Sequence, residues 1–275
     1  MTIDQLTLEL LRESQRQQLQ VAVLRRRPAW LSADELDAHF ARMPARYWTH
    51  VNEADVLWHL ATLHEFFDNL EEKDAPTVAP IVRWRHFPGG GYTEVLICTW
   101  DRLGLCAKVA GSFATVGINI FHADIYTRDD DVVLDIFRVY DQGNFPIRDE
   151  SRLDTMAGLL AVSLSQQSDG LFARLGRLER QFSAGRGTAA STVVFDNNRF
   201  AESTFLQIVT ADRLGLLHDI MRALTESDVN IRQAIIHTEK SDARDAFHLN
   251  DRDGGKILDD SRLRSIEKRL LDAIT

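Results

Sequence analysis

The feature that most constrains the fold is a long internal repeat. The segment Asp101–Leu105 recurs without change as Asp212–Leu216, 111 residues later. One such match could arise by chance, but identities continue in the same register over about 70 residues, which indicates two copies of one structural unit. The aligned pairs include Val82 with Val193, Thr93 with Thr204, Asn119 with Asn230, Ala123 with Ala234 and, after the loss of one residue, Asp135 with Asp245.

Each copy contains the hydrophobic patterns of a mixed α and β unit. In the first copy, Val95–Trp100 is a short β-rich run, and apolar residues in 105–116 then recur at helical spacing. Two alternating segments, 121–126 and 133–139, predict two further strands, and a second helix begins near Asp149. The order β-α-β-β-α predicts an α+β, ferredoxin-like fold with two helices on one face of an antiparallel sheet.

A strand in front of each copy is expected to complete its sheet, because no strand pattern follows the second helix. The segments Ile81–Trp84 and Thr192–Phe195 align with one another and have that pattern. Residues before the first copy are mostly helical, and Ser32 with Glu35 forms a capping box for one short helix. The predicted organisation has four parts. Residues 1–78 form a helical segment and linker, and residues 79–182 form a first unit that includes an extra helix. Residues 183–191 form a linker, and residues 192–275 form a second unit.

Composition narrows the class of protein. Hydrophobic residues make up 44% of the chain and charged residues 27%, as in globular domains. The net charge of −9 argues against nucleic acid as a partner. The two cysteines, Cys98 and Cys106, are too few for a disulfide framework or a zinc site, and a cytoplasmic location is expected. No apolar run suits a membrane span.

No group of residues predicts catalysis, a metal or a cofactor. Gly111-Ser112 is the one Gly-Ser pair, and it lies on a predicted helix without a following pair of acidic ligands. His218-Asp219 falls on the outward side of a helix, where a solvated pair is expected. The acidic run Asp129–Asp131 fits a polar hairpin turn better than a cation site. Gly89–Gly91 lies between two strands, whereas a phosphate-binding loop leads into a helix.

The two identical loops are the candidate ligand sites. Each connects a strand to a helix whose first amide groups lack internal partners and can receive a carboxylate. The aspartate of each loop can either cap the helix or receive an ammonium group, and the asparagine that begins the next strand offers a donor and an acceptor. Buried pairing is expected instead for Asp135 and Asp245. The predicted ligand-binding residues are Asp101, Leu103, Gly104, Leu105, Asn119, Asp212, Leu214, Gly215, Leu216 and Asn230.

These motifs resemble those of a known family. The segments Asp101–Leu105, Gly117–Ile120 and Asp135–Asp141 look like an ACT domain, and so do their copies. The tandem pair is similar to the C-terminal regulatory end of the bifunctional uridylyltransferase/uridylyl-removing enzyme that modifies the PII protein, as are Arg85–Gly91 and the helical segment from Ala45. Leu103 and Leu214 stand where that family usually has proline.

The resemblance implies a function. It implies that the chain senses an amino acid, with glutamine expected, and that binding reports nitrogen sufficiency by switching uridylylation to removal. The implied partners are the PII protein and catalytic domains, whose motifs are absent from this sequence, so whether the chain is an enzyme stays open. The alternative is a ligand-free ACT assembly module that forms a homodimer through its sheets.

Overall fold

The computed structural model describes residues 3–72, 79–165, 189–213, 215–239 and 241–275. The extra helix expected at 168–182, most of the linker expected at 183–191 and the candidate ligand residue Leu214 lie outside these residues. The helices are α1 (Ile3–Arg25), α2 (Ala33–Arg42), α3 (Glu53–Glu72), α4 (Leu105–Thr115), α5 (Glu150–Ser165), α6 (Leu216–Glu226) and α7 (Asp260–Ile274), with short 3-10 helices at Ala45–Thr49 and Pro88–Gly90.

Nine strands within the described residues form one sheet. The strands are β1 (Ile81–Phe87), β2 (Tyr92–Trp100), β3 (Asn119–Asp124), β4 (Val132–Tyr140), β5 (Thr192–Asp196), β6 (Thr204–Ala211), β7 (Asn230–Ile235), β8 (Thr238–Glu239) and β9 (Asp242–Asn250). Their order is β1-β2-β4-β3-β7-β9-β6-β5, and β8 pairs with β9. The strands in front of each copy, β1 and β5, join the sheet beside β2 and β6, which confirms their predicted place.

The chain divides into two compact units. The first contains Met1–Arg83, Leu96–Asp101 and Tyr126–Asp135. The second contains Trp84–Val95, Arg102–Ile125 and Ile136–Thr275.

The first unit has a core of aromatic and histidine side chains. Ser32 caps α2, and the predicted capping box with Glu35 is present. The Tyr47 hydroxyl is fully buried and lies 2.7 Å from His59 Nδ1 and 3.2 Å from His39 Nε2. Burial lowers the pKa of His39 well below its ordinary value, so His39 is neutral at neutral pH.

The turn that follows β3 belongs to this first unit. The guanidinium of Arg128, with its residue 5% exposed, donates two hydrogen bonds to the Asp130 carboxylate. Arg42 of α2 donates to Asp129, and the Asp129 amide donates to the Arg42 carbonyl. The acidic run is therefore a turn bound by arginines, in agreement with the expectation of a polar hairpin.

The second unit brings the two copies together as one α+β layer. Helices α4 and α6 contact each other, α5 contacts α4, and α7 contacts α6. The ring of Phe113 on α4 lies 5.6 Å from that of Phe137 on β4 and anchors this helix on the sheet. Antiparallel registers are described for β3–β4, β3–β7, β5–β6 and the pairs made by β9. The predicted α+β, ferredoxin-like fold is confirmed. None of the described helices is long and apolar enough to cross a membrane.

Candidate ligand site

A cavity of about 890 Å³ in the second unit contains side chains from both copies. The first copy contributes the end of α4 and the adjoining ends of β3 and β4, where Asn119 and Tyr140 lie. The second copy contributes Asp212, Gly215 and Leu216 from the loop before α6. This volume falls in the range typical of small-molecule sites. Four of the ten predicted ligand residues, Asn119, Asp212, Gly215 and Leu216, therefore share one cavity.

A glycine with a left-handed backbone precedes each of the helices α4 and α6. Gly215 is the N-cap residue of α6 and has a φ of 81°, a conformation that glycine adopts without strain. Gly104 is the N-cap residue of α4 and has a φ of 77°. Because glycine has no side chain, neither N-cap residue makes a side-chain capping hydrogen bond.

Asn119 meets a different loop from the one expected. The sequence places Asn119 beside the loop of its own copy, whereas in the structure it lines a cavity with the Asp212 loop of the other copy. The reason is the pairing of β3 with β7, which sets the two copies side by side in the second unit. Asn119 is exposed and pairs with Tyr140 in the register of β3 and β4.

The other candidate residues of the first loop do not line this cavity. Leu103 is 77% exposed, and Leu105 is buried. A Cβ atom added to Gly104 would lie 3.8 Å from the Thr225 side chain, at the end of α6. Asp101 belongs to the first unit, where its amide donates to the Asp131 carbonyl at 2.7 Å.

The second asparagine also lies outside the lining of this cavity. Asn230 is exposed, and its side-chain Nδ2 donates to the Asp251 carbonyl at 3.3 Å. The two copies thus differ at the position of this asparagine, although their sequences match.

Asp245 lines the cavity and was not among the predicted ligand residues. It lies on β9, is 1% exposed, and its Oδ1 accepts a long 3.4 Å hydrogen bond from the His237 amide. Burial, with a smaller contribution from the negative charge of Asp212, raises the pKa of Asp245 to about 7, although the hydrogen bond from the His237 amide lowers it. Its counterpart Asp135 in the first unit accepts from the Tyr126 amide at 3.1 Å, and burial raises its pKa well above the ordinary value.

His218 corrects a second expectation. The sequence predicted a solvated His218-Asp219 pair, but His218 is half-buried and lines the cavity, with Nδ1 2.8 Å from the Ala107 carbonyl oxygen. Asp219 instead pairs with Arg213, at 2.7 Å from Nη2. The repeat alone could have indicated this, since Ala107 is the counterpart of His218 and counterparts meet across the contact between α4 and α6.

No described group of three or more histidine, cysteine or acidic side chains could hold a metal ion. The cavity lining is mixed, with two carboxylates, an arginine, a histidine, side-chain amides, a tyrosine and apolar side chains. Such a lining suits a small polar ligand that carries charges of both signs.

Comparison with known proteins agrees with this architecture. Residues 192–275 match the sequence model of the family described as ACR9-like, ACT-like domain. The second copy is thus similar to an ACT-like domain. The first copy shares its sequence register and its order of strands and helices, so the chain carries two similar units in tandem.

Curated relatives share one name, bifunctional uridylyltransferase/uridylyl-removing enzyme. The relative from Rhodospirillum rubrum is 33% identical over 251 residues, which are 87% of this chain and 25% of that protein. The relative from Ruegeria pomeroyi is 28% identical over 260 residues, or 88% of this chain and 26% of that protein. The relative from Azospirillum brasilense is 32% identical over 188 residues, or 68% and 20%. The chain therefore spans about a fifth to a quarter of the length of these relatives.

Proposed function

We propose that the two ACT-like units sense an amino acid, that glutamine is this amino acid, and that the chain belongs to a nitrogen-signalling protein similar to a PII uridylyltransferase. The observation that carries the proposal is the cavity that Asn119 of the first copy shares with Asp212, Gly215 and Leu216 of the second copy. The names of the relatives support the signalling context.

The charges of the cavity match those of an α-amino acid. The helix dipole and the amide groups at the start of α6 stabilise the α-carboxylate near Gly215 and Leu216. Asp212 receives the ammonium group on the same loop. Asn119, on the opposite wall, exchanges hydrogen bonds with the side-chain amide of glutamine, since asparagine offers both a donor and an acceptor.

The position of the cavity suggests how binding is transmitted. Its walls come from α4, β3 and β4 of the first copy and from the loop before α6 of the second copy. A ligand that contacts both walls stabilises the conformation in which the walls lie at this distance. The difference between its affinities for this conformation and for the alternative one determines how far the equilibrium shifts. The receivers of the signal are proposed to be the PII protein and catalytic domains like those of the relatives, in the cytoplasm.

Calorimetric titration with each of the twenty amino acids tests the proposal. Glutamine is expected to bind with a dissociation constant between about 1 µM and 1 mM, the range for two charge-assisted contacts on a small ligand. The variant Asn119→Ala removes a hydrogen-bonding partner of the ligand and should weaken binding by about 5- to 150-fold. Asn198→Ala, an exposed asparagine beside β5, is the matched control and should bind as the unaltered chain does.

Two results would contradict the proposal. If no amino acid releases heat or raises the melting temperature at millimolar concentration, sensing is excluded, and the ligand-free assembly module takes its place. If glutamine binds but Asn119→Ala and Asn198→Ala behave alike, the ligand does not occupy this cavity.

A further inference from the structure

The first unit contains a cavity of its own, with a volume of about 310 Å³. Helices α2 and α3 line it, and the turn at 128–130 contributes the remaining wall. This volume lies at the lower end of the range typical of small-molecule sites. The apolar part of the lining comes from Leu60, Leu63 and Phe67, and both leucines are 2% exposed. We call it the α2–α3 cavity.

Contacts within the protein hold the polar walls of the α2–α3 cavity in place. The Arg128 side chain is 4% exposed, donates hydrogen bonds of 2.9 and 2.8 Å to Asp130, and lies with Cζ 5.6 Å from the centre of the Phe67 ring. His64 Nδ1 on α3 lies 2.5 Å from Glu35 Oε1 on α2. A ligand that enters such a cavity orders few additional side chains, which favours binding.

Arg42 is the basic group of the lining whose closest carboxylate partner lies outside the cavity. Glu35 and Asp130 each have a basic partner within the lining. Arg42 Nη1 lies 3.0 Å from Asp129, whose side chain is 66% exposed and does not line the cavity. Its second contact, from Nε to Asp130, is 3.6 Å long. Because exposed pairs of this kind contribute little to stability, Arg42 can exchange Asp129 for the carboxylate of a ligand.

The remaining charged group of the lining is Asp34. It is exposed in the first turn of α2, about 12 Å from Arg42 along the helix axis. The positive end of the helix dipole stabilises its charge at that position. An anion bound at Arg42 is therefore separated from Asp34.

We propose that the α2–α3 cavity binds a small carboxylic acid with an apolar body, and that the Arg42 guanidinium holds its carboxylate. The apolar body packs on Leu60, Leu63 and Phe67. Arginine suits this role because its planar group donates two parallel hydrogen bonds to a carboxylate. The site is separate from the proposed amino-acid cavity, because every residue that lines it belongs to the first unit.

Three probes of similar shape test the charge of the ligand. Hexanoate, hexanamide and hexylamine are each titrated into the isotope-labelled full chain, and amide chemical shifts are followed by NMR. Hexanoate should cause saturable shifts at Ala38, Leu63 and Phe67. Hexanamide should bind at least about 10-fold more weakly, because it lacks the charge-assisted hydrogen bonds. Hexylamine, which carries the opposite charge, should cause no saturable shifts at these residues.

Two pairs of variants locate the bound hexanoate. Arg42→Gln should weaken its binding by about 10- to 150-fold, whereas Arg26→Gln, which alters an exposed arginine 3.1 Å from Glu53, should leave binding unchanged. Ala38→Leu places a larger side chain in the cavity lining and should block binding. Ala41→Leu enlarges an exposed residue of the same helix and is the matched control. The arginine pair decides the question if Ala38→Leu fails to fold.

Three results would overturn this inference. They are the absence of saturable shifts at ten-millimolar hexanoate, tighter binding of hexylamine than of hexanoate, and equal affinity of Arg42→Gln and Arg26→Gln for hexanoate. None of them bears on the glutamine titration, because the amino-acid cavity lies in the second unit.

Discussion

Ala123 on β3 pairs with Ala234 on β7, and each alanine is the repeat counterpart of the other. The two flanking pairs are exchanged by the same symmetry: His122 pairs with Ile235, and their counterparts Gln233 and Asp124 pair with each other. In addition, the Ile125 amide donates to the Arg232 carbonyl, and the Ile236 amide donates to the Phe121 carbonyl. The contact between the two copies therefore has a local pseudo-twofold axis between the two alanines.

This symmetry predicts that equivalent substitutions at the two alanines lower the free energy of unfolding by equal amounts. Both alanines are fully buried, so Ala123→Leu and Ala234→Leu each overfill the seam and should each lower the free energy of unfolding by about 1–3 kcal/mol. Urea denaturation measures this change. The exposed Ala201→Leu serves as the control and should change stability by less than about 0.5 kcal/mol. Clearly unequal costs at 123 and 234 would contradict the pseudo-twofold seam.

Gly215 is predicted to tolerate no side chain without strain. Its φ of 81° lies in the left-handed region, so Gly215→Ala should cost about 1–2 kcal/mol of stability and should also weaken glutamine binding. Gly158→Ala is the opposite case, since this exposed glycine lies inside α5 with open space around its Cβ position. That variant should gain up to about 1 kcal/mol. Thermal denaturation of both variants tests whether Gly215→Ala lowers stability and Gly158→Ala raises it.

The buried hydroxyl of Tyr47 in the first unit is predicted to stabilise the fold. Tyr47→Phe removes the hydroxyl that lies between His39 and His59 and leaves both rings without that partner. The free energy of unfolding should fall by about 1–3 kcal/mol. Tyr92→Phe, where the half-buried ring stacks on Phe87, is the matched control, and its change should stay within about 0.5 kcal/mol. Similar losses in both variants would show that the hydroxyl of Tyr47 is not a structural hydrogen-bonding group.

The raised pKa of Asp245 predicts that its contribution to stability falls as pH rises. A carboxylate in an exposed ion pair has the opposite pH dependence. Its folded pKa of about 7 lies above the unfolded value of 3.8, so the folded chain binds this proton more tightly. The contribution of this group to the free energy of unfolding is fully present below pH 3.8 and is lost as pH rises toward 7. Asp245→Asn should thus be more stable than the unaltered chain at pH 8, by up to about 4 kcal/mol, and equal to it near pH 4.

Asp251 provides the control of opposite sign. The hydrogen bond from Arg262 lowers the pKa of this carboxylate, so its contribution is present at neutral pH and lost as pH falls. Asp251→Asn should therefore be the less stable chain at pH 8. If Asp245→Asn and Asp251→Asn shift stability in the same direction at pH 8, the assignment of a protonated Asp245 is wrong.

Much of the fold follows from local patterns in the sequence. The periodicity of Leu105, Val109 and Phe113 predicts α4, and the leading strands β1 and β5 follow from the alignment of the two copies. The capping box at Ser32 is equally local, because Ser32 and Glu35, three positions apart, determine it. Such features depend on spacing along the chain, which the sequence displays directly.

The site could be predicted only in part, because its assembly depends on contacts distant in sequence. The repeat identified Asp212, Gly215 and Asn119 as candidates, but the pairing of β3 with β7 decides which loop each asparagine meets. Asp245 was assigned to structural pairing, since nothing in a strand pattern tells whether a buried carboxyl borders a cavity. Likewise, the spacing of residues along the chain does not predict that His39 and His59 contact the same tyrosine hydroxyl.

The central claim is that one amino acid binds in the cavity between Asn119 and the loop before α6. Titration of the isotope-labelled chain with glutamine, followed by amide chemical shifts in NMR, tests it most directly. The expected result is saturable shifts concentrated at Asn119, Asp212, Gly215, Leu216 and His218, with the exposed residues of α1 unchanged. Saturable shifts confined to residues outside this cavity, or no shifts at ten-millimolar glutamine, would contradict the claim.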